Sequence, residues 1–178
     1  MKGPGPNFLD LVFKRFAKKT IIVEDLGLIT PDIKSYVASA GLAGMRVLQF
    51  GFGGNPKTNS HYPANHIENS ICYTGTHDNN TIVGWLNEID AKQKTRLFEC
   101  LGHKPKASEL HWDMIRLAMS SIANLAIVPV QDVLGLGTQA RINHPAKLKG
   151  NWRWRMRPGA LTTQIADKLA DITESCGR

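Results

Sequence analysis

Two short apolar runs in this 178-residue chain end in carboxylates, and those ends are where chemistry is to be sought. Residues 20–23 (Thr-Ile-Ile-Val) lead into Glu24 and Asp25. Residues 71–75 (Ile-Cys-Tyr-Thr-Gly) lead into Thr76, His77, Asp78 and Asn79. Brief β-branched and aromatic runs closed by turn formers read as buried strands of a parallel sheet. In such sheets ligands bind beyond the carboxyl ends of the strands, where side chains from different strands converge on one rim. Glu24 and Asp78 can therefore face one substrate although far apart in sequence. Partial burial behind Ile21, Ile22 and Val23 is expected to raise the Glu24 pKa toward that of a general acid working near neutrality. Asp25 points the opposite way along a strand and reads as a structural salt-bridge partner. For Asp78 and Asn79 the competing reading is an Asx-rich turn capping a helix that begins near Thr81.

Other chemistries fit less well. His77 and Asp78 could ligate a metal, but there is no His-x-His pair; His61 and His66 fall in a long loop, and His144 follows the last strand. Cys72, Cys100 and Cys176 show no metal-ligand spacing, and with no apolar signal region at the N-terminus they point to a reducing cytoplasm. A nucleophilic serine elbow is absent, and Gly51-Phe52-Gly53-Gly54 lacks the Lys-Ser/Thr ending of a phosphate cradle. The reading calls for no metal and no cofactor. No apolar run approaches the roughly 20 residues of a membrane span, so no membrane partner is expected. The net charge of +7 concentrates in Lys14, Arg15, Lys18 and Lys19 and in Arg141, Lys147, Lys149, Arg153, Arg155 and Arg157. The second group interleaves Trp152 and Trp154, as a single-strand binder would, but a solvated basic face is the commoner meaning and nucleic acid is not the favoured partner.

The elements that position these residues follow a strand-then-helix rhythm. Phe8, Leu9, Val12, Phe13 and Phe16 recur on one face of a helix over residues 8–18, with Asn7 as its cap. A strand over 20–27 precedes a helix opened by Thr30-Pro31-Asp32 and stopped near Ala40-Gly41. A strand over 45–50 ends at Phe50, and residues 51–69, rich in Gly, Pro, Asn and Ser, form a long surface loop. The strand ending at Thr74 is followed by helices over 81–88, 90–100 and 111–124. A fourth strand over 125–130 has Pro129 at its end, where the missing N–H does no harm, and a closing helix covers 161–173. Four strands alternating with helices predict a parallel α/β fold.

Four segments carry a more specific likeness: residues 23–31 (Val-Glu-Asp-Leu-Gly-Leu-Ile-Thr-Pro), 44–50 (Gly-Met-Arg-Val-Leu-Gln-Phe), 73–79 (Tyr-Thr-Gly-Thr-His-Asp-Asn) and 151–155 (Asn-Trp-Arg-Trp-Arg). In this order and spacing the chain resembles the 4-α-glucanotransferase family, also called amylomaltase or disproportionating enzyme. The resemblance implies the C-terminal half of a (β/α)8 TIM barrel, from the fourth helix through the eighth strand and final helix, spanning residues 1–178 as one partial catalytic domain. It implies retaining transfer of α-1,4-glucan segments between maltodextrins. By the same resemblance Glu24 is the general acid/base and Asp78 the carboxylate that stabilises the transition state through sugar hydroxyls. His77 is a neighbouring sugar-binding histidine, Phe50 an apolar platform on the acceptor side, and Asn143 a residue of the last-strand loop. An oxocarbenium-like transition state is favoured by such carboxylates and hydroxyl hydrogen bonds. Trp152 and Trp154 could stack on sugars or pack against the barrel.

The family's nucleophile is an aspartate in an Arg-x-Asp motif after the fourth strand, and no Arg-x-Asp ends a strand here. Without it no glycosyl-enzyme intermediate forms, so the isolated chain is expected to be inactive. Half a barrel would leave open sheet edges and exposed apolar surface, so poor solubility or self-association is expected, or else complementation by the missing N-terminal half as a partner. A hydrolase of the wider α-amylase clan, or a non-catalytic carbohydrate- or nucleic-acid-binding protein, are the competing functional readings.

Overall fold

A computed structural model describes residues 5–16 and 21–178. Helix α1 (Gly5–Arg15) starts two residues before Asn7, so Asn7 lies inside it and is not its cap. The expected end of that helix at Lys18 and the first residue of the 20–27 run lie outside the described residues. Helix α2 (Pro31–Ser39) has Pro31 at its first position, where a missing N–H costs nothing.

The sheet has three parallel strands in the order β1 (Gly44–Val47), β2 (Ser70–Tyr73), β3 (Leu125–Ile127). Met45 pairs with Ile71 and Ile71 with Leu125, so the three strands run in step and end on one side. The expected strand over 20–27 is not formed. The segment makes a single parallel bridge, Ile22 with Ala43, and one hydrogen bond from Val23 N–H to the Ala43 carbonyl at 2.9 Å. It has β1 on one side only, and Ile22 remains 45% exposed; a run with a single neighbour lacks the second ladder that holds a buried strand. The predicted strand over 45–50 is also cut short, because Leu48–Gly51 turns into a helix, α3, that carries Phe50.

Helices α4 (Ile82–Leu86), α5 (Ala91–Leu101), α6 (Leu110–Met119), α7 (Val130–Val133) and α8 (Thr163–Ser175) complete the fold. Pro129 sits at the start of α7, past the end of β3. Helix α5 starts at a capping box in which Asp90 accepts from Gln93 N–H at 2.7 Å and Gln93 returns the bond to Asp90 N–H. Helix α6 is the hub: it packs on β2, β3, α4, α7 and α8. One core joins Leu48, Phe52, Cys72, Ile82, Leu97 and Met114; a second, on the far side of α6, joins Trp112, Ile115, Val133 and Ile172. Among the described residues no helix is long and apolar enough to cross a membrane.

Candidate active site

The turn after β2 is held from below and from the side. Gln49 of α3 donates Nε2–H to the Asn80 carbonyl at 2.8 Å. A Cβ on Gly75 would come within 2.6 Å of that amide, so the backbone passes over Gln49 only because residue 75 is glycine. Asn79 closes the turn, its Oδ1 accepting from Thr76 N–H at 2.8 Å and from Thr76 Oγ1–H at 2.9 Å. The cap of α4 is Thr81, which accepts from Gly84 N–H at 3.1 Å. Asp78 and Asn79 therefore do not cap the helix.

With the capping role taken, the Asp78 carboxylate faces outward, about half exposed. It accepts from Asn143 Nδ2–H at 2.5 Å and lies 3.3 Å from His77 Nε2. Arg141 secures the same residue through its backbone, Nη2–H donating to the Asp78 carbonyl at 2.7 Å while Nε–H holds the Asn143 carbonyl at 2.9 Å. Arg141 and Asn143 thus lie against the turn after β2. Trp152 N–H donates to the Ile142 carbonyl at 2.8 Å, and the indole tilts 36° over His77 with ring centroids 5.2 Å apart. Trp152 adopts φ +62°, a left-handed conformation that costs an L residue about 1–2 kcal/mol. Of the two readings weighed for the tryptophans, Trp152 packs on His77 and still leaves 56% of its surface open. The expected basic face is present at Arg153, Arg155 and Arg157, which are exposed.

Glu24, Phe50, His77 and Asp78 line one open cavity of about 760 Å³, with Tyr73 and Asp132 in its wall. Asn143 reaches this site through its bond to Asp78. Glu24 is exposed, contrary to the partial burial expected of it, because the 21–27 segment has no neighbour beyond β1 to cover it. Asp25 turns the other way, as expected: its carboxylate accepts from Met45 N–H at 2.6 Å and lies 3.4 Å from the Arg46 guanidinium.

Asp132 follows the fourth strand in the sequence reading, which gives it no role. Buried beneath the cavity, it accepts from Thr74 Oγ1–H and from Ile82 N–H, both at 2.8 Å, tying β2 to the start of α4. Burial pushes its carboxyl up to about 6, against the pull of those two hydrogen bonds. A signal was present: residues 125–132 repeat the apolar-run-then-acid pattern that singled out Glu24 and Asp78. Arg141 was read only as part of the basic group. Among the described residues no group of three His, Cys, Asp or Glu side chains is placed to share a metal ion.

Comparison with known proteins places this geometry. Residues 1–162 match the model of a family described as 4-alpha-glucanotransferase. The chain is 43% identical to the chloroplastic/amyloplastic 4-alpha-glucanotransferase of Arabidopsis thaliana, over 99% of this chain and 31% of that relative. It is 40% identical to the Synechocystis 4-alpha-glucanotransferase, over 99% of the chain and 35% of the relative, and 37% identical to that of Thermus thermophilus, over 100% and 37%. Among solved structures, the amylomaltase of Streptococcus agalactiae in complex with acarbose superposes with a TM-score of 0.92 at 30% identity, over 100% of this chain and 36% of that one. The chain thus spans about a third of the length of these relatives. With the family model reaching over most of its residues and these relatives matching nearly all of them, the chain belongs to the 4-alpha-glucanotransferase family.

Proposed function

We propose that this chain supplies the acid/base half of a retaining 4-α-glucanotransferase site, moving α-1,4-glucan segments between maltodextrins. Glu24 protonates the glycosidic oxygen of the donor and then takes the proton from the acceptor hydroxyl; Asp78 and His77 accept and share hydrogen bonds with sugar hydroxyls as positive charge develops on the ring. Phe50 is the apolar platform of the acceptor side. Asn143 holds the Asp78 carboxylate in place. The observation that carries this reading is that Glu24, after the Ile22 bridge, and Asp78, after β2, line one cavity with Asp78 fixed by Asn143. The acarbose bound to the Streptococcus agalactiae neighbour supports a glucan-like ligand.

In the same reading the three strands and the Ile22–Ala43 bridge are four consecutive rungs of a (β/α)8 barrel, residues 1–178 forming its C-terminal half. The attacking aspartate then comes from the other half, the natural partner of this one. The free cysteines fit a reducing compartment such as the cytoplasm, although the Arabidopsis relative is chloroplastic/amyloplastic.

The test is a chimera in which this segment replaces the matching segment of the Thermus thermophilus relative, incubated with maltotriose. Glucose together with longer maltodextrins is expected, and Glu24→Gln and Asp78→Asn each abolish both products. Full activity in Glu24→Gln would overturn the assignment. Glucose without longer products would identify a hydrolase, and the 178-residue chain alone is expected to form neither.

A further inference from the structure

The loop between α3 and β2 does more than connect them. It folds back on the residue that carries the platform. Asn59 spreads its side-chain amide over the carbonyls of Phe50, Gly51 and Gly53, at 2.8, 3.1 and 3.2 Å, and its Oδ1 accepts from His61 N–H at 2.9 Å. His61 then turns its ring inward. Its Nδ1 accepts from Val47 N–H, the last residue of β1, at 3.1 Å, and its edge meets the Phe50 ring at a centroid separation of 5.6 Å and 71°.

The approach is close enough to dictate sequence. A Cβ on Gly51 would lie 2.6 Å from the His61 carbonyl oxygen. That same carbonyl sits 3.1 Å from Nε2 of the buried His66, whose Nδ1 lies 2.8 Å from Ser121 Oγ. A carbonyl can only accept, so His66 carries its proton on Nε2 and Nδ1 accepts from Ser121. Likewise a backbone N–H can only donate, so Nδ1 of His61 is unprotonated and the ring is neutral.

We propose that His61 is a positioning residue: its neutral imidazole locks the end of β1 and braces the Phe50 ring at the mouth of the cavity. Phe50 is 43% exposed and has no other aromatic neighbour among the described residues, so the T-shaped contact with His61 constrains which face it turns to a ligand. The role rests on the reading of Phe50 as a sugar platform but is distinct from it.

Protonation of His61 would put a second donor against Val47 N–H and break the lock. The groups that face it are Arg46, Lys34 and His66, which oppose protonation, and Asp25, which favours it. Burial is the largest influence, and the ring titrates at about 4. At neutral pH the lock is closed.

Three variants separate the parts. His61→Asn keeps an acceptor near the Nδ1 position but cannot titrate; His61→Phe keeps a ring but no acceptor; His61→Ala has neither. On the 178-residue chain, with Phe50 resonances assigned through Phe50→Leu, His61→Ala is expected to bring the Phe50 ring signals toward free phenylalanine values and to shift the Val47 amide, leaving Phe52 unchanged. In the parent chain the Val47 and Phe50 signals are expected to move together as pH falls below about 5, whereas the Val47 signal of His61→Asn stays constant. Unaltered Phe50 signals in both His61→Ala and His61→Phe, or a Val47 signal that ignores the His61 titration, would overturn the proposal. Maltoheptaose affinity is the second readout: His61→Ala and Phe50→Ala are each expected to weaken it about two- to tenfold. A Phe50 ring that moves without any change in maltoheptaose affinity sinks the platform reading and leaves the positioning role intact.

Discussion

Asn143 reaches 65 positions back along the chain to donate its side-chain amide to the Asp78 carboxylate at 2.5 Å. This bond joins the segment after α7 to the turn after β2 and sets the orientation of the carboxylate. A hydrogen bond to a charged acceptor contributes about 1.5–3 kcal/mol. Replacing Asn143 by Leu in the Thermus chimera is therefore expected to lower kcat/KM for maltotriose by roughly 10- to 150-fold. Circular dichroism should show an unchanged fold; an activity within a factor of two of the parent would refute the role.

Asp132 anchors two elements with one carboxylate. Asn at this position can still accept from Ile82 N–H but turns an N–H toward Thr74, whose hydroxyl must then accept instead of donate, a rearrangement expected to cost about 1 kcal/mol. The sign of the pH dependence follows from a carboxyl raised from 3.8 to about 6 in the fold. The contribution of the protonated group is complete below pH 3.8 and is lost as pH rises through 6. Urea unfolding of Asp132→Asn should accordingly show a deficit that is largest near pH 4 and narrows toward pH 7.

His61 works in the opposite sense over nearly the same interval. Its imidazole is lowered from 6.5 to about 4 in the fold, so the unfolded chain takes up the proton first. The stability it contributes is complete above pH 6.5 and falls away as pH drops toward 4. His61→Asn should flatten that part of the urea-midpoint profile, and an unchanged slope would count against the neutral ring.

Gly44 has a steric reason to be glycine: a Cβ there would collide with the Asp25 carboxylate. Gly44→Ala is expected to push Asp25 off Met45 N–H and destabilise the chain by about 1–3 kcal/mol. Loss of the Met45 amide's hydrogen-bonded chemical shift would report the displacement.

The sequence disclosed those parts of the site that sit on a strand and its following turn. The run from Ile71 reads as a strand because β2 is paired along both edges and buried on both faces, so its apolar character is continuous. The 20–27 run reads as a strand from its composition, yet composition cannot say that only one neighbour is present, and both the missing ladder and the exposure of Glu24 follow from that. The strand over 45–50 was drawn too long because Leu48, Gln49 and Phe50 are as apolar in total as a strand would be, while the turn into α3 is set by tertiary contacts to Gln49 and Phe50. Arg141, Asp132 and His61 act on partners 63, 58 and 14 positions away, and no local spacing announces such pairings. Asn143 was found only through family resemblance, for the same reason.

The single bridge at Ile22 has a thermodynamic consequence for the two carboxylates. Asp78 follows a strand paired along both edges, so exposing its backbone requires opening the sheet itself. Glu24 follows a segment tied to the sheet by one bridge, one backbone bond and the Asp25 anchor, so it can open while the remainder of the fold stays closed. Amides at 22–27 would exchange with solvent by local opening and those at 71–73 by near-global unfolding. Glu24 and Asp78 thus belong to different cooperative units, and the geometry of the pair is only as persistent as the weaker of them.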